Sequence, residues 1–138
     1  MSSLKRFAVT SNIAYLLPLA AAAYAGLWGL VVALGVLFVT STGYHLSEEK
    51  SFVVADQVAA YLVIALNIIV LVITKFPLGN VSLALVLLAA AGYFRYIGEK
   101  KSFDVYHGLW HVSCALITLA CISAYALPFW VKSVIMRG

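Results

Sequence analysis

FVVADQVAAYLVIALNIIVLVIT, residues 52–74, is the stretch on which the fold turns. It holds a single charged side chain, Asp56, and as a helix rising ~1.5 Å per residue it is long enough to cross a hydrocarbon core of ~30 Å. Working outward, two apolar segments precede it, at about 7–24 and 26–45, and two follow, at about 81–96 and 103–126. Of 138 residues 64% are apolar and 10% charged, and the mean hydropathy is +1.05. The fold class is therefore all-α integral membrane, a single transmembrane domain over 1–138 built as a compact bundle of about five transmembrane helices.

Polar residues punctuate these spans. Gly26 makes the tight turn after the first. The run Ser47-Glu48-Glu49-Lys50-Ser51 precedes the third, and Lys75, Pro77, Gly79 and Asn80 form a breaker cluster before the fourth. Gly98-Glu99-Lys100-Lys101 closes that span, Ser102 or Asp104 caps the fifth, and Pro128 ends or bends it. The last residues, with Trp130, Lys132 and Arg137, suit an interfacial end. Lys5-Arg6 ahead of an apolar run ending Ala23-Tyr24-Ala25 also resembles a secretory signal peptide; the five-span reading keeps it as a helix with Pro18 as a tolerated kink.

The net charge is +4 and the pI about 9.2, but the basic residues are scattered through the connections, which excludes a nucleic-acid surface. They serve better as topology signals. Lys5, Arg6, Lys50, Arg95, Lys100 and Lys101 fall on one face, against Lys75, Lys132 and Arg137 on the other, which places the N-terminus in the cytoplasm. Multi-pass insertion follows from the spans; the organelle does not.

The chemistry lies in three histidines, His45 alone and the pair His107-x3-His111. Ionisable groups within spans are expensive and need a partner. His45 sits at the exit of the second span, Asp56 about one turn into the third, and the histidine pair one to two turns into the fifth, so all four approach the same membrane face. Ser41 and His45, like His107 and His111, are one helical turn apart and share a side of their helix. Three imidazoles suit Zn2+, whose catalytic sites take three protein ligands and leave one position open. Asp56 would then accept a proton or orient a ligand, and Ser41 would hold water or donate to an oxyanion.

Each member also has an ordinary reading. His45 is a polar interfacial residue, a histidine pair at this spacing arises by chance, Asp56 is a helix N-cap or a first-turn acid, and Ser41 is a helix-packing residue. Only the set as a whole points to a metal, and shared ligation requires imidazole nitrogens within ~4 Å of one another.

Ser41-Thr42-Gly43-Tyr44-His45, Asp56 and His107-Gly108-Leu109-Trp110-His111 resemble, in this order, the motifs of the CREST superfamily of alkaline ceramidases, progestin and adipoQ receptors and myomaker-like membrane proteins. The flanks, with Val105-Tyr106 before His107 and Val112 after His111, are most similar to the myomaker-like branch. The resemblance implies a zinc ion on His45, His107 and His111, with Asp56 and Ser41 around the bound water. It also implies ceramidase-like hydrolysis of a lipid amide or ester by a zinc-bound hydroxide. The superfamily has seven spans where this chain has five, so the lipid site is either open to the bilayer or closed by a second copy in a homo-oligomer.

The expected partner is a membrane lipid, as substrate or ligand. The alternative is a non-enzymatic zinc protein of membrane remodelling or lipid binding. A lesser alternative is a haem-binding electron-transfer protein, less suited because two of the three histidines share one helix. No span carries a central lysine for a retinal Schiff base. Cys114 and Cys121, about 10 Å apart along one helix, cannot pair. Trp110 lies between two proposed ligands and could wall the site, and Tyr61 and Asn67 either line a cavity or bond across helices.

Overall fold

A computed structural model describes residues 7, 9–47, 49–101 and 103–135, with side chains as far as 127. Lys5, Arg6, Glu48, Ser102 and Arg137 lie outside the described residues, as do the side chains of Pro128, Trp130 and Lys132. The described chain is helical with no strand: α1 Val9–Tyr24, α2 Trp28–Ser47, α3 Lys50–Ile73, α4 Leu78–Lys100 and α5 Phe103–Ile135. The all-α membrane bundle is borne out. Helices α2 to α4 and Phe103–Leu127 of α5 are each long and apolar enough to cross a membrane, while α1 is a shorter apolar helix. The protein thus has four to five candidate spans and is a multi-pass membrane protein.

Local chemistry explains where the helices break. Pro18 has no N–H to bond the Ala14 carbonyl one turn back, and α1 tightens just before it into a 3-10 turn over Asn12–Tyr15. α1 ends with Gly26 at φ 72°, where Leu27 N–H reaches Ala22 O at 2.9 Å and Gly26 N–H reaches Ala23 O at 3.1 Å. This is a Schellman closure, and a residue without Cβ adopts it at no steric cost. The α3–α4 turn has the same pattern, Phe76 N–H to Leu71 O at 2.8 Å and Lys75 N–H to Val72 O at 3.0 Å, but here Lys75 and Phe76 take the positive φ.

Two elements differ from the sequence reading. Gly79 and Asn80 belong to α4 and not to the breaker, because Asn80 Nδ2 donates to Ala120 O at 2.9 Å and Ser123 Oγ at 2.8 Å on α5. Helix α5 runs through Pro128 to Ile135; a proline removes one ladder bond, which a membrane helix tolerates. Asp104 lies inside the first turn of α5, not at its cap.

Four helices form a ring. α1 packs on α2 and α5, and α3 packs on α2 and α5, so α2 and α5 stand on the diagonal. Helix α4 lies outside, with its extensive contacts on α5 alone. The core is small and aliphatic, with Ala22, Leu30, Ala33, Leu34, Val63 and Ala115 among its members. Outward-facing Leu83, Val86, Leu88, Val58, Tyr61 and Ile64 are exposed, as lipid-facing positions must be.

Candidate metal centre

The ring closes at one end on polar side chains. His45 lies near the C-terminus of α2, Asp56 in the second turn of α3, and His107 and His111 in the first turns of α5. Helices running up and down in sequence bring these ends to one face. The three imidazoles meet across the α2–α5 diagonal, with ring centroids 4.9 Å apart for His45 and His107, 5.4 Å for His45 and His111, and 4.4 Å for His107 and His111. One ring nitrogen from each lies within 4.8 Å of the others. Zinc–imidazole bonds of ~2.0 to 2.1 Å at tetrahedral angles require about 3.3 Å, so a zinc ion held there would need the widest pair to close by about 1.5 Å. The spread of 4.8 Å is wider than the ~4 Å expected for shared ligation.

The hydrogen-bond inventory tests the fit. Among the described residues, His45 Nε2 and both ring nitrogens of His107 are buried without a hydrogen-bond partner, as is Asp56 Oδ1. Each such orphan costs about 1 to 3 kcal/mol, so four at one end of the bundle need a reason. A cation of borderline softness satisfies imidazole nitrogens in a way that aliphatic neighbours cannot. In chemistry, three imidazole nitrogens are a donor set that zinc accepts. Among the described residues the cluster has three ligand groups and no fourth, and the Asp56 carboxylate stands outside it.

Around the triad is a wall that the sequence showed only in part. Trp110 leans on His107 and His111 at 5.3 and 5.5 Å, as its position between them suggested. Phe103 stacks on His107 at 4.8 Å with planes 20° apart, and Tyr15 tilts against His111 at 5.8 Å. Gly43 leaves room for Phe52: a Cβ there would meet that ring at 2.6 Å.

The 3-10 turn of α1 and the residue before it supply the polar groups that the sequence reading missed. Asn12, with no exposed surface, accepts a hydrogen bond from the Ser41 hydroxyl on Oδ1 at 3.2 Å, and its Nδ2 donates to Thr42 Oγ1 at 3.3 Å. Ser41 therefore stands between Asn12 and the Asp56 carboxylate, with one proton for two acceptors. Ser11 Oγ lies 3.2 Å from His111 Nδ1. The available signal was the adjacent polar pair Ser11-Asn12 in an otherwise apolar segment. Tyr61 points outward, Asn67 bonds across helices to Thr118, and both cysteines are free thiols.

Comparison of the chain with protein-family models, with curated proteins and with solved structures gives no match.

Proposed function

We propose that this protein is an integral membrane zinc-dependent hydrolase acting on a lipid amide or ester. The observation that carries the reading is a cluster of three histidines, His107 and His111 buried and His45 half-buried, with no fourth ligand group among the described residues, at the end of a membrane bundle. A structural zinc site is closed by four protein ligands, whereas a catalytic site keeps one position for water or substrate. His45, His107 and His111 would hold the ion. Zinc bound there supplies Lewis acidity toward a carbonyl and makes water acidic near neutral pH.

The chain's own side chains account for the rest. Asp56 Oδ1, buried and without a partner, is the proton acceptor at the site. Ser41 orients that carboxylate from beside it, and Asn12 holds Ser41 in turn. Phe103 and Trp110 line the imidazoles with apolar surface that excludes water. The position at helix ends suits a substrate whose scissile bond lies at headgroup level and whose chains stay in the bilayer. The ordered motifs Ser41-x3-His45, Asp56 and His107-x3-His111 support the same chemistry by resemblance. The basic bias of the connections supports a cytoplasmic location for this face and for the N-terminus. A haem is poorly served, since imidazole centroids 4.4 to 5.4 Å apart leave no gap for a porphyrin plane between them.

The test is zinc content of the detergent-purified protein, followed by hydrolysis of ceramide and phospholipid. One zinc per chain and an activity abolished by chelation, by His111→Ala and by His45→Ala are expected. Activity that survives loss of metal or His111→Ala would sink the hydrolase reading.

A further inference from the structure

Helix α1 places a hydroxyl behind one imidazole. Ser11 Oγ and His111 Nδ1 are 3.2 Å apart, and both residues are buried, at 7% and 1% exposure. They are 100 positions apart in the chain, so the contact exists only because α1 packs on α5. Gly108 permits that approach: a Cβ there would lie 3.3 Å from Ser11 Cβ and 2.6 Å from the Phe7 ring.

The two nitrogens of a neutral imidazole have opposite roles. One that binds a metal offers its lone pair, and the other then carries the proton and needs an acceptor. Ser11 Oγ is placed to be that acceptor for His111 Nδ1, and in that tautomer Nε2 is left for the ion. Among the described residues neither nitrogen of His107 has a hydrogen-bond partner, so none of them fixes its tautomer in the same way.

We propose that Ser11 is a positioning residue for His111: its oxygen accepts the Nδ1–H, selects the tautomer with the Nε2 lone pair available, and thereby raises the metal affinity of the whole site. The inference rests on the metal-binding reading above and adds a residue from a helix that holds none of the three ligands.

Full-length wild-type protein and Ser11→Ala, both in detergent, are titrated with zinc against a chromophoric chelator and with Co2+ followed by visible absorption. Zinc binding by Ser11→Ala is expected to be about 10- to 100-fold weaker, with altered cobalt bands and an unchanged far-ultraviolet circular dichroism spectrum. An affinity within about threefold of wild type overturns the role of Ser11 and leaves the metal reading standing. Wild-type protein that binds neither ion overturns both. A readout independent of any variant is the long-range 15N imidazole spectrum of the zinc-loaded wild type. It should show His111 protonated at Nδ1 and metallated at Nε2, and metallation at Nδ1 overturns the proposal.

Discussion

Asn67 illustrates how a single polar side chain is accommodated inside a membrane helix. Its Nδ2 donates to Thr118 Oγ1 at 2.9 Å, and the Thr118 hydroxyl donates in turn to Cys114 O at 3.1 Å, while Asn67 Oδ1 has no partner among the described residues. Removing Thr118 is therefore worse than removing Asn67. Thr118→Val should destabilise the bundle by about 1 to 3 kcal/mol, because both amide atoms of Asn67 are then buried and unpaired. Asn67→Leu should change stability by less than about 1 kcal/mol, since it deletes one interhelical bond and one orphan together. Equilibrium unfolding in mixed micelles distinguishes the two, and a larger loss for Asn67→Leu would refute the ranking. Residues of this kind mark the limit of what sequence discloses. Asn67 in an apolar run announces a partner without saying which. Likewise His45, His107 and His111 are legible through turn spacing and span parity, but Ser11 and Asn12 obey no spacing rule, and their contacts depend on how α1 packs.

Helix ends follow from residue chemistry to different degrees. Gly26 could be read as a turn because a positive φ favours glycine, and the α1–α2 connection uses it so. The matching turn after α3 places Lys75 at φ 59° and Phe76 at φ 50°. Lys75→Gly is expected to raise stability by about 1 kcal/mol by relieving the Cβ clash of the left-handed conformation, measured as a higher midpoint of unfolding. No pattern of apolar residues could announce that strain. The α1–α5 contact makes a second prediction. In Gly108→Ala the Phe7 ring, itself partly exposed, can swing aside, whereas Ser11 must shift by a few tenths of an ångström. Gly108→Ala should thus lose less than about 1 kcal/mol of stability, and Gly108→Leu should separate α1 from α5. Protease sensitivity of α1 in the two variants reads the difference.

At the scale of the whole molecule, alternating helices place the α2–α3 and α4–α5 connections on one face and the α3–α4 turn on the other. Cysteines introduced by Lys50→Cys and Lys100→Cys should label with an impermeant maleimide from the same side of sealed vesicles, and Lys75→Cys only from the opposite side. Labelling of Lys75→Cys and Lys100→Cys from one side would contradict the arrangement. Hydropathy made the spans readable, but not that α4 lies outside the ring, because lipid and helix neighbours are equally apolar. The ring has a consequence for synthesis. Helix α5 is the last to emerge, yet it touches α1, α3 and α4 and carries the acceptors or partners for Ser11, Asn67 and Asn80. A chain halted before residue 103 leaves those groups without their native neighbours in the bilayer. Such a truncated intermediate should stay with its insertion machinery and be degraded readily, so the final helix acts as the checkpoint for the whole fold.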